Sequence, residues 1–125
     1  MREFEFRAWN KYFEQYHEET HRLMIRLDGK IYNSEYGDTQ CDRFIIEQYT
    51  GLKDVNGVKI FEGDIVRDSV GIGVVEYSEI KAAFKVNYKD GFCKWFIDYI
   101  LKGERESIEV IGNIHQNHEL LGKQK

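Results

Sequence analysis

The chain has 125 residues, which suits one ordinary domain and leaves too little for two full ones. Apolar residues make up 42% and aromatic residues 14%, which excludes a disordered chain and tilts the fold toward sheet. The net charge of −4 speaks against a protein built around a polyanion, because phosphate neutralisation needs a dominant basic face.

In chain order, the first predicted element is a strand in which Phe4, Phe6 and Ala8 share one face and Glu3, Glu5 and Arg7 the other. Its flank MREFEFRAWNK has no leader-like apolar run, and no later stretch approaches a membrane span. Residues 10–21, NKYFEQYHEETH, are mostly polar with some helical spacing at Phe13, Tyr16 and Thr20, and read as a short helix or an excursion between strands. A hairpin follows: Leu23, Ile25 and Leu27 alternate with Met24 and Arg26, and Asp28-Gly29 supplies a two-residue turn before Ile31 and Tyr32. Residues 33–43 are loop-like.

The next strand is Phe44 to Tyr49, and Lys53-Asp54-Val55-Asn56-Gly57 is a turn. With no Pro in the chain, reversals fall to Gly, Asn and Asp. Strands follow at Ile65-Val66, Ile72 to Tyr77, Phe84 to Tyr88 and Phe92 to Ile97, the last two joined through Asp90-Gly91. A strand from Ile108 to Ile114 precedes a short helical turn around Glu119 to Leu121 and a polar tail. Short strands at roughly ten-residue spacing suggest a small barrel or sandwich.

Three blocks of sequence then stand out: FRAWN at residues 6–10, QYTGLKDVNGVKIFEGDIV from Gln48 to Val66, and EVIGNIHQNHELL from Glu109 to Leu121. Together, in this order, they resemble the YopX-like family of small bacteriophage and prophage proteins. The resemblance implies a mainly β fold containing an SH3-like small barrel, and it implies no activity. His118 stands where such proteins often carry Pro, so a looser closing turn is expected there, and residues 11–43 match no part of the pattern. The expected organisation is a single domain over residues 1–125. Its parts are an amino-terminal strand, ambiguous segment and hairpin (1–43), the barrel (44–114), and a helical turn with tail (115–125).

Candidate chemistry is sparse. His17-Glu18-Glu19-Thr20-His21 satisfies H-E-x-x-H, in which two His one helical turn apart hold zinc while the Glu activates its water. That pattern needs a long packed helix and a third ligand, and this polar segment offers neither, so a solvated face is the better account. His115 and His118 read as decoration of the last helix, with Asn117 as its N-cap. Glu62-Gly63-Asp64 reads as a turn rather than a catalytic carboxylate pair. Gly71-x-Gly73 lacks the following helix of a phosphate loop and reads as turn or bulge geometry. Cys41 and Cys93 match no metal spacing and are expected to be reduced thiols in a bacterial cytoplasm.

Two surfaces remain. Tyr77, Tyr88, Trp95 and Tyr99 are the candidate partner-binding platform, and strand 92–97 has apolar residues on both faces, as a central or covered strand would. Lys53, Lys59, Arg67, Lys81, Lys85, Lys89 and Lys94 form the candidate basic face for nucleic acid. The expectation is a non-enzymatic phage or prophage accessory protein without cofactor or metal, binding another protein or itself. Nucleic-acid binding by the barrel stands second, and a zinc-dependent hydrolase third.

Overall fold

A computed structural model describes residues 3–17, 23–33, 38–39, 43–97 and 108–122. These residues form a mainly β structure of curled antiparallel sheets, with short helical pieces, one beginning at Phe96 and one spanning Glu119–Gly122. The chain clusters into two compact units, one of residues 6–47 and one of residues 1–5 with 48–125.

The first unit contains β1 (Phe6–Asn10), β2 (Gln15–Tyr16), β3 (Leu23–Ile25), β4 (Ile31–Asn33), β5 (Asp38–Thr39) and the start of β6 (Phe44–Lys53). The expected alternation in β1 divides its partners. Ala8 packs with Ile31 and Phe44, joined by Leu23 and Ile46, as a small apolar core. On the opposite face Arg7 reaches the buried Glu47 at 2.7 Å, and the Tyr16 hydroxyl donates to the same carboxylate oxygen. FRAWN thus supplies a strand whose two faces are both used inside the protein.

Residues 11–17 follow the second of the two readings, an excursion between strands, and residues 18–21 lie outside the described residues. Asn10 Oδ1 accepts the N–H groups of Tyr12 and Phe13, turning the chain so that β2 returns antiparallel to β1, with Trp9 opposite Tyr16. The same Asn contact can open a helix or a turn, and here the ladder pairing of Gln15 and Tyr16 with β1 makes it a turn.

The second unit contains the rest of β6, β7 (Lys59–Phe61), β8 (Asp64–Arg67), β9 (Ile72–Ser78), β10 (Ala83–Tyr88), β11 (Cys93–Trp95) and β12 (Glu109–Asn113). Among the described residues, five strands pair in the order β11-β10-β9-β8-β12: a four-strand meander with β12 returning beside β8. Its inner face carries Val66, Val75, Val86 and Tyr88, which cluster with Ile60, Phe96 and Ile108.

Three hairpins share one recipe, and it differs from the two-residue turn expected at Asp28-Gly29. In each, a closing pair (Arg26–Lys30, Asp54–Val58, Tyr88–Phe92) brackets three loop residues, the last being Gly, whose N–H donates to the carbonyl that opens the loop. This is a type I turn completed by a residue in the left-handed region, which Gly57 occupies at φ 81°. Changing the loop from two residues to three shifts the strand register by one, and a one-residue shift exchanges the faces.

The two longer family-like blocks meet within this second unit. Asp54, buried in the turn after β6, accepts the N–H groups of Asn56 and Val58 on Oδ1 and that of Val110 on Oδ2. Asp64 accepts the N–H of Phe61, closing the Glu62-Gly63 turn, and Glu62 accepts the N–H of Gln48. The Gly63 carbonyl in turn accepts Ile114 N–H. Asp54, Glu62 and Asp64 each accept backbone N–H groups, which answers why carboxylates are tolerated there.

Candidate functional site

The four residues of the expected aromatic platform part company. Tyr88 belongs to the core: it is 5% exposed, and its hydroxyl donates to Asp68. The register explains this correction, because Phe84, Val86 and Tyr88 all lie on the inward face of β10. Tyr77 is largely exposed and meets Phe84 edge-on across the β9–β10 ladder, at 5.3 Å between ring centroids. Tyr99 lies outside the described residues.

Trp95 is the member that gathers other chemistry. It sits half-buried on β11, opposite Lys85 of β10 and therefore on the outward face. Lys85 Nζ stands 5.6 Å from its ring centroid and Lys81 Nζ, from the β9–β10 turn, 5.8 Å. Both distances fit a cation held against an aromatic face. Neither lysine has a carboxylate partner among the described residues. The nearest cross-strand acid, Glu76 opposite Lys85, accepts instead from the Asn87 amide.

β11 is shorter than expected. Phe92 precedes it, and Phe96 and Ile97 begin a helical turn that buries Phe96 and leaves Ile97 exposed. It is neither central nor covered by another described strand, but stands at the sheet edge. Because Tyr88 N–H bonds Phe92 O, the hydrogen-bonded pairs of this hairpin are Tyr88–Phe92 and Val86–Lys94. The N–H and C=O of Cys93 and the N–H of Trp95 therefore point away from β10, toward an edge that no described strand covers, while Trp95 C=O stands at the opening of the helical turn.

The candidate basic face is divided by ion pairing. Lys59 Nζ is 2.6 Å from both Glu3 and Glu5, and Arg67 is 2.7 Å from Glu109. Hydrogen bonds to Glu3 and Glu5 raise the Lys59 pKa well above that of an ordinary lysine, and the same contact lowers that of Glu3. Of the seven cations, Lys81 and Lys85 are the pair brought together on one aromatic ring.

The histidine motif is only partly visible. His17 follows β2, with its N–H donating to Ala8 O, and so continues a ladder rather than a helix. Its ring meets Phe44 edge-on and lines a cleft of about 150 Å³ with Phe6, Ala8, Leu23, Ile25 and Ile46. Glu18, Glu19, Thr20 and His21 lie outside the described residues. Among the described residues no group of three His, Cys, Asp or Glu side chains is arranged to hold a metal ion.

The closing block is also internal wiring. Asn117 does not cap the last helix with its side chain. Its Oδ1 turns back to accept Asn113 N–H, and its side chain lies over Gly112. Asn113 Oδ1 accepts the N–H groups of His115 and Gln116.

These features define a mainly β protein with a curled sheet, an edge strand that no described strand covers and an aromatic–lysine cluster beside that edge. The chain belongs to the YopX family: the family model, described as YopX protein, matches residues 5–122. Among solved structures it is similar to protein EF1440 from Enterococcus faecalis, at 27% identity over 97% of this chain and 99% of that chain, with a TM-score of 0.55. No curated protein matches the chain. Among the described residues no helix is long and apolar enough to cross a membrane.

Proposed function

We propose that this protein is a non-enzymatic interaction module, an accessory protein of a phage or prophage that binds another protein in the cytoplasm of the bacterial host. The observation that carries the reading is the edge of β11, uncovered by any described strand, where outward-pointing backbone groups lie beside Trp95 and the lysines held on its ring. Exposed edge strands are templates for another chain, and Trp is among the side chains enriched where binding energy concentrates. The side chains of the family-like blocks point the same way, since Arg7, Asp54, Asp64 and Asn117 are engaged in holding the fold. The unpaired thiol of Cys93 suits a reducing compartment.

Nucleic-acid binding draws less support, because Lys59 and Arg67 are already ion-paired and the chain is acidic overall. A zinc hydrolase draws none from His17, which sits in a strand ladder.

The deciding experiment is capture of partners from host lysate on the tagged full chain, in nuclease-treated and untreated halves. A specific protein that survives nuclease, and is lost when Trp95 is replaced by Ala, is the expected result. Recovery that vanishes with nuclease would replace this reading with the nucleic-acid one.

A further inference from the structure

We infer that the β11 edge takes an extended acidic segment of a protein partner as an added antiparallel or parallel strand, with its carboxylates received by Lys81 and Lys85 around Trp95. This rests on the interaction-module reading and names the chemistry of the partner. Two independent features converge. The first is the backbone: Cys93 presents its N–H and C=O outward and Trp95 its N–H, and no hydrogen bond among the described residues occupies them. The second is charge. On the outward face the residue of an added strand that lies opposite Trp95 would sit about 5 Å from it, next to the indole. From there a carboxylate reaches both ammonium groups, which already lie on that ring and lack a carboxylate of their own.

The same features weigh against other occupants. A second copy paired through β11 would bring Trp95, Lys81 and Lys85 against their own equivalents, and like charges facing each other across strands oppose pairing. A single-stranded nucleic acid would need an open ring face for base stacking and a run of cations along its backbone, whereas here two cations share the one ring.

The test uses the full chain, isotope-labelled, titrated with an end-blocked peptide of alternating glutamate and valine and with a matched lysine–valine peptide. The expected result is a shift of the Cys93 and Trp95 amides and of the Trp95 indole with the glutamate peptide alone. That shift should collapse as salt is raised. The double substitution Lys81→Ala/Lys85→Ala should weaken binding at least about tenfold. Cys93→Pro should also weaken it, because it removes an outward N–H while leaving the β10 ladder intact. Unchanged amides in the wild-type chain at about 1 mM glutamate peptide would overturn the inference. So would equal binding of the lysine peptide, or shifts confined to other strands. Lysate capture separates the two levels. A partner retained by both the Lys81→Ala/Lys85→Ala and Cys93→Pro proteins sinks the edge assignment and leaves the module reading standing. Absence of any protein partner sinks both.

Discussion

Lys59 holds its ammonium between Glu3 and Glu5 and against the Tyr49 ring, whose centroid is 5.4 Å away. The contact favours the charged form of both partners, raising the lysine pKa and lowering that of Glu3. The signs fix a window. A lowered carboxyl contributes stability above its unfolded pKa and loses it as pH falls through the folded one. A raised ammonium contributes below its unfolded pKa and loses it as pH rises through the folded one. Neutral pH lies inside both limits, so the pair is intact there. An NMR titration of Glu3 should show its midpoint below that of an ordinary glutamate, returning upward in Lys59→Met. Because both groups are solvent-accessible, added salt should shrink the difference. A Glu3 midpoint that ignores the Lys59 substitution would show that the contact does not persist in solution.

At the scale of elements, Gly112 is the position where chain geometry is tightest in the closing block. A Cβ there would stand 2.6 Å from Asn117 Oδ1 and 2.8 Å from Asn117 Cβ, so the whole side chain must move and release Asn113 N–H. Gly112→Ala should therefore cost about 1–3 kcal/mol, measured by urea denaturation with an unchanged m-value. Gly112→Ala combined with Asn117→Gly should cost less than the two single changes summed, since the second removes every side-chain atom that the new methyl meets. Strict additivity would mean that Asn117 does not lie over Gly112. The strands around this block were legible from alternation and turn residues: β9, β10 and β12 fall where Ile72 to Tyr77, Phe84 to Tyr88 and Ile108 to Ile114 placed them, and β1 starts at Phe6, inside the alternation of Glu3 to Ala8, and runs on to Asn10. The site was less legible because it depends on register. A two-residue loop at Asp90-Gly91 would set Lys85 opposite Phe96; the three-residue loop sets it opposite Trp95. The same shift determines which residues of the hairpin share a face, and counting Lys89 into the loop would have revealed it. Tyr88 could be assigned to the core from its shared parity with Phe84 and Val86. The β1–β2 hairpin gave no such signal, since the Asn10 side chain makes the reversal in a segment with helical spacing.

At the scale of the molecule, the described residues of the two units differ in how tightly their apolar side chains are sealed. The second has Ile60, Ile65, Val66, Val75 and Val86 at 1% exposure or less, while the buried apolar cluster of the first is Ala8, Ile31 and Phe44 at 5–6%. Local opening costs least where few apolar contacts are lost. Native-state hydrogen exchange should therefore find the slowest amides in β8, β9 and β10, exchanging only through global unfolding. The amides of β1, β3 and β4 should exchange earlier, by a smaller opening that is less sensitive to denaturant. This ordering bears on function, because β11 pairs with β10 and so borrows the rigidity of the better-sealed unit. An edge held in a fixed strand conformation loses less entropy when another strand adds to it. Protection as deep in β3 and β4 as in β9 would show a single cooperative structure, and with it no special rigidity behind the β11 edge. Early exchange at Val86 and Lys94 would be more damaging, since it would leave Trp95 and its lysines on a strand that is not preorganised to receive a partner.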